Sequence, residues 1–175
     1  LSATYLKAVY HSLLLAVLAA TAAVLLGLVL GYANRAMQNG LTKRVIRLAA
    51  TGYAIPGTVL GIGVLIPLAA FDNALDSFLR EQVGVSSGLL LSGTITALVF
   101  AYVVRFLAVS FGAIETGLQK VTPNVAAAAR TLGRGPIAAF IEVHLPLLKP
   151  ALASAALLVF VDCMKELPAT LILRP

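Results

Sequence analysis

Residues 12–34, 48–71 and 82–104 each run without a single Lys, Arg, Asp or Glu. Each run reaches the roughly 20 apolar residues that a helix needs to cross a hydrocarbon core of about 30 Å. A fourth run lies between Lys149 and Arg174 and carries Asp162, Lys165 and Glu166 in its second half. Only 11% of the chain is charged, where soluble domains carry roughly 25%, so a water-soluble globule is excluded. The expected fold class is all-α: a polytopic transmembrane helix bundle in one incomplete domain over residues 1–175, with spans near 12–34, 48–71, 84–106 and 148–168. The first run is too long for a cleaved signal peptide and lacks a basic start before its apolar stretch. Leu1 is not an initiator Met and Pro175 follows an apolar run, so both ends are expected to continue. The single Cys163 has no partner for an internal disulfide.

The net charge of +6 is distributed as a topology signal. Arg35, Lys43, Arg44 and Arg47 follow the first run, and Arg105, Lys120, Arg130, Arg134 and Lys149 follow the third. Between the second and third runs stand Asp72, Asp76 and Glu81 against Arg80 alone. Basic loops stay in the cytoplasm, so the chain starts outside and the segment after the third run is cytoplasmic. No interleaving of aromatic and basic residues points to nucleic acid, whereas contact with lipid headgroups is compatible with this pattern.

Within the runs, Gly27 and Gly31, and again Gly57 and Gly61, stand four apart, a spacing that lets helices approach closely in lipid. Ile55-Pro56-Gly57 removes a backbone donor near the start of the second run and predicts a kinked or broken helix. Tyr10, Tyr32, Tyr53 and Tyr102 fall near span ends, as interfacial anchors do.

The cytoplasmic segment, about residues 115–147, is too patterned for a linker. Thr122-Pro123 is a helix start, and Gly133 stands where a C-terminal cap belongs. Between them Val125, Ala128, Ala129 and Leu132 share one face. Gly135-Pro136 opens a second short helix in which Ile137, Phe140, Ile141 and His144 repeat the spacing, until Leu145-Pro146 is expected to break it. Two short amphipathic helices about a Gly hinge read as a docking element for another protein, with a pair of helices lying on the membrane as the alternative. His144 is expected to be a satisfied polar residue rather than a metal ligand, since no ligand cluster accompanies it.

In the fourth run Asp162 falls roughly 18 Å from the cytoplasmic end, inside the hydrocarbon. Charges there are costly and mark function by default. Two readings stand: a local pair of Asp162 with Lys165, or Asp162 and Glu166 facing the bundle axis as oxygen groups for a hard cation, with Lys165 limiting the negative charge.

The stretch Ala127-Ala128-Ala129, three residues, Gly133, nine residues, Val143, one residue, Leu145-Pro146 resembles the EAA loop of binding-protein-dependent ABC transporter permeases. Their pattern reads Glu-Ala-Ala, three residues, Gly, nine residues, Ile, one residue, Leu-Pro, so Ala127 replaces the Glu and Val143 the Ile. Tyr53-Ala54-Ile55-Pro56-Gly57-Thr58-Val59-Leu60, Ala101-Tyr102-Val103-Val104-Arg105-Phe106-Leu107-Ala108 and Met164-Lys165-Glu166-Leu167-Pro168-Ala169-Thr170 resemble the ferric-iron permeases, and permeases for thiamine and polyamines share these stretches in part.

The resemblance implies the second half of a two-half permease of the bacterial inner membrane. It implies an ATP-driven importer whose coupling residues are Ala127, Ala128, Ala129, Arg130, Gly133, Val143, Leu145 and Pro146. The partners it implies are a cytoplasmic ATP-binding cassette ATPase, a periplasmic substrate-binding protein, a second homologous transmembrane half and membrane lipid. ATP and Mg then belong to the ATPase, and no Walker A loop occurs in this chain. A passive channel or proton-linked carrier, and a membrane anchor with no pathway, are the competing functions.

Overall fold

The computed structural model describes residues 3–173 except 38, 39, 85, 87, 89 and 167, and at Pro123, Ala126, Arg130 and Pro136, among others, the backbone alone. The elements are α1 (Ala3–Met37), α2 (Gly40–Ala54), α3 (Gly57–Val83), α4 (Ile95–Lys120), α5 (Pro123–Thr131), α6 (Pro136–Ala139), a π-helical turn (Phe140–His144), α7 (Leu145–Lys165) and α8 (Pro168–Leu173). Four helical stretches are long and apolar enough to cross a membrane: Tyr5–Arg35, Gly57–Gln82, Ile95–Lys120 and Ile137–Lys165.

The second apolar run does not span as one piece from 48 to 71. It is divided at Ile55-Pro56, where Pro56 takes an extended conformation (φ −56°, ψ 140°) and its carbonyl accepts from Leu60 N at 3.0 Å. On the near side α2 has 15 residues, about 22 Å, short of a bilayer core. On the far side α3 is the span.

The third run is also divided. The described residues among 84–94 are non-helical, and Gly84, Gly88 and Gly93 there adopt φ between 63° and 72°, the left-handed region that only glycine enters freely. Asp72 of α3 gathers this segment, accepting from Leu91 N at 3.1 Å, from Ser92 N at 2.7 Å and from the Ser92 hydroxyl. Thr94 then caps α4 by accepting from Ala97 N at 3.4 Å. With its start displaced, α4 runs to Lys120 and takes up the first residues expected in the loop.

The expected break at Leu145-Pro146 is absent. Leu145 N donates to Phe140 O, a five-residue step, so the chain winds one wide turn and continues into α7. Pro146, which has no N–H to donate, is accommodated directly after this wide turn.

At the centre, α1 packs on α4 and α7, α2 lies on α4, and α3 packs on α8 and α4. Leu15, Ala16, Ala19, Ala20 and Ala23 form the buried face of α1 against Leu98, Ala101, Tyr102 and Phe106 of α4 and Val159 and Cys163 of α7. The small residues let backbones meet, and Ser110 donates to Ala23 O at 2.9 Å across the α1–α4 contact. A Cβ added at Gly27 would stand 2.6 Å from Ser110 Oγ, and one at Gly31 3.0 Å from Leu118 Cδ1, so the first glycine pair seats α4. Tyr102, expected as an interfacial anchor, is instead 1% exposed in this core.

Candidate coupling loop and intramembrane charges

In α5 the first turn closes when Val125 N donates to Thr122 O at 3.2 Å. The helix ends in a left-handed cap. Gly133 has φ 77°, Leu132 N donates to Ala128 O at 3.1 Å and Arg134 N reaches back to Ala129 O at 3.0 Å. That six-to-one closure needs a residue at positive φ, which is why glycine stands there. Gly135 then accepts from Ala139 N at 2.9 Å and α6 begins.

The two expected apolar faces each split. On α5, Ala129 is buried and Val125 half-buried, while Ala127 and Ala128, and Leu132 just past its end, are exposed; the Arg130 side chain lies outside the described residues. Past the hinge Ile137 and Ile141 point outward, whereas Phe140 packs its ring 4.6 Å from that of Tyr32 and His144 is buried 6.2 Å from the same ring. Leu132, Ile137 and Ile141, 81%, 75% and 55% exposed, therefore form an apolar rim about Gly133. Val143 and Leu145 are half-buried and Pro146 is exposed at the root of α7. Arg134 pairs with Glu142 at 3.1 Å across the hinge. His144 departs from expectation: among the described residues neither ring nitrogen has a hydrogen-bond partner.

Two contacts that the sequence did not announce fix this loop to the bundle. Arg35, at the end of α1, donates through its guanidinium to Leu118 O at 2.5 Å, which also accepts from Val121 N, and to Val121 O at 2.6 Å, two carbonyls at the end of α4. Beside it Asn34 donates to Glu115 at 3.0 Å. A cavity of about 640 Å³ lies behind α5, walled by Gly117, Lys120, Val125, Leu147 and Ala151.

Of the two readings of the charges in the fourth span, the local pair is not formed. Among the described residues no ion pair joins Asp162 to Lys165; Asp162 is half-buried on α7 and Lys165 is exposed at its last turn. Glu166 caps the end of α7, and its carboxylate lies 3.0 Å from Arg105 Nε of α4, with both side chains largely buried. Arg105 also donates to Ile55 O, the carbonyl at the α2–α3 break. Tyr102 donates to Glu166 O at 3.0 Å and shares a hydrogen bond with the Thr170 hydroxyl. One guanidinium thus joins two helix breaks. Among the described residues no three His, Cys, Asp or Glu side chains assemble into a metal cluster. Within the pair, Glu166 Oε1 is a buried acceptor with no hydrogen-bond donor among the described residues.

Residues 10–174 match the family described as binding-protein-dependent transport system inner membrane component. The chain is 27% identical over 169 residues to the Fe(3+)-transport system permease protein FbpB 2 of Haemophilus influenzae, covering 97% of this chain and 30% of that protein. It is 28% identical over 167 residues to the molybdate/tungstate transport system permease protein WtpB of Thermococcus kodakarensis, covering 95% of this chain and 60% of that protein. PhnV of Salmonella typhimurium, named for 2-aminoethylphosphonate transport, is 30% identical over 122 residues, or 70% of this chain and 40% of that protein. The chain spans less than two thirds of the length of each of these relatives. With four helical stretches of spanning length and a family match over nearly all of its length, this multi-pass membrane chain belongs to the family of binding-protein-dependent transport system inner membrane components.

Proposed function

We propose that this chain is the membrane-spanning part of an ATP-driven importer, in which the loop about Gly133 docks a separate ATP-binding cassette ATPase. A periplasmic binding protein delivers the substrate, and a second homologous transmembrane half completes the pathway. The observation that carries this reading is the exposed rim of Leu132, Ile137 and Ile141 on a loop whose second helix runs unbroken into α7. A push on α6 moves a spanning helix directly, because no flexible joint intervenes. Ala127 and Ala128 form the exposed small-residue surface of α5 beside that rim, Ala129 anchors the helix from its buried side, and Val143, Leu145 and Pro146 form the root; Arg130 is assigned to the coupling surface by its place in the loop sequence alone.

For the substrate we favour ferric iron, supported by the likeness to the Haemophilus permease and by carboxylate oxygens in the fourth span, which suit a hard cation. Asp162, half-buried and outside any ion pair among the described residues, is the residue assigned to the pathway. Glu166, tied to Arg105, contributes through its free Oε1, and Lys165 limits the charge. A second reading, an oxyanion importer, is favoured by the likeness to the Thermococcus permease.

Uptake of labelled ferric iron and of labelled molybdate by the reconstituted full-length transporter separates the two. With iron as cargo, Asp162→Asn is expected to slow iron uptake by roughly tenfold, about 1.4 kcal/mol of barrier. Unchanged iron uptake in that variant removes Asp162 from the pathway, and molybdate uptake in place of iron establishes the second reading.

A further inference from the structure

We propose that α2, together with the cavity at its start, binds the phosphate headgroups of acidic phospholipid in the cytoplasmic leaflet. The helix has three faces. Thr42, Ile46 and Ala49 turn toward the bundle. Leu41, Val45 and Leu48 follow one another at helical spacing and are 70%, 40% and 71% exposed. Lys43, Arg44 and Arg47 form the third face, all exposed, and α2 contains no Asp or Glu. Among the described residues no ion pair engages these three bases.

α2 runs antiparallel along α4, its start beside Gln119 and its Gly52 against Val104, so its basic residues stand at headgroup level and its apolar stripe descends among the acyl chains. Its level is fixed from outside α2. Arg35 and Lys120 mark the last turns of α1 and α4, the cytoplasmic ends by the distribution of positive charge. Where α2 begins, a cavity of about 440 Å³ opens between those two ends, lined by Asn34, Arg35, Lys43, Glu115 and Gln119. Its two bases outnumber its one acid, so the cavity is net positive and an anion is the favoured occupant; Arg35 also holds Leu118 O and Val121 O, which leaves Lys43 as the base turned to it.

Charge and shape together select lipid. A second copy of this chain would bring a surface of the same positive sign. An acidic soluble protein would satisfy the basic face and leave Leu41 and Leu48 in water. Free phosphate would fill the cavity without engaging the stripe. An acidic lipid meets all three features, its phosphate at Lys43, Arg44 and Arg47 and its acyl chains along Leu41, Val45 and Leu48.

The test is native mass spectrometry of the full-length protein exposed to an equal mixture of phosphatidylglycerol and phosphatidylcholine. The wild type is expected to retain phosphatidylglycerol preferentially. The variant Lys43→Gln/Arg44→Gln/Arg47→Gln is expected to lose that preference by roughly fivefold for each charge removed. If the triple variant does not fold, the single variants are read in its place, and the charge-conserving Lys43→Arg/Arg44→Lys/Arg47→Lys keeps the preference. Equal retention of the two lipids by the wild type overturns the proposal. So does a preference that survives neutralisation, displacement of the lipid by inorganic phosphate, or cross-linking from Leu48→Cys to a protein subunit instead of to lipid.

Discussion

Replacing Arg105 by Met is expected to destabilise the bundle by about 3 to 5 kcal/mol, because it leaves the Glu166 carboxylate buried without its cation. The same change strips the donor from Ile55 O at the α2–α3 break. Glu166→Gln added to Arg105→Met removes the uncompensated charge and is expected to recover most of the loss. Unfolding by SDS in mixed micelles, taken over the double-mutant cycle, measures the coupling. If the double variant is no more stable than Arg105→Met, the pair does not hold the two breaks together. The ion pair is not an ornament of one helix: Arg105 belongs to α4, Ile55 precedes α3 and Glu166 follows α7.

Gly52→Ala is expected to be destabilising against its own propensity. Within an isolated helix, alanine is preferred over glycine by about 1 kcal/mol. A Cβ at Gly52, however, would stand 2.1 Å from Val104 O, a backbone atom of α4 that cannot rotate aside. The helices must separate, at a cost of about 1 to 3 kcal/mol for alanine and more for valine. Gly63→Ala is the control. It lies within α3 with no atom within 4 Å of an added Cβ, and is expected to gain up to about 1 kcal/mol. The same SDS unfolding curves, read for both variants, check the opposite signs.

Much of this architecture could be read from local chemistry. Uncharged runs announce the number of spans, Pro56 announces the break, and Thr122, Pro123 and Gly133 announce α5, because caps and breakers act within a few residues. The errors came where local signals compete. The run 82–104 counts as apolar, yet its first half is rich in Gly and Ser and is held by Asp72, some twenty residues upstream. Leu145-Pro146 looks like a stop, but a single π turn absorbs the proline. Periodicity placed Leu132 with Ala129, and Ile137 with Phe140, but could not say which members would find a partner. That depended on Tyr32, far away in α1.

The site was legible in part, and for the same reason. Spacing alone located the loop. The Arg105–Glu166 pair joins residues 61 apart, so Arg105 read as a topology charge and Glu166 as a pathway carboxylate. Arg35 was likewise counted for its sign, whereas its work is to bind the carbonyls that end α4.

Docking of an ATPase at the rim about Gly133 is open to a direct test. Leu132→Glu/Ile137→Glu places two charges on side chains that are 81% and 75% exposed, so the bundle itself is expected to fold as before. Co-purification of the ATPase subunit with the tagged full-length protein is the measurement. The expected result is an ATPase retained by the wild type and lost from the double variant, with an unchanged unfolding curve for the membrane part. An ATPase retained equally by both would contradict the claim.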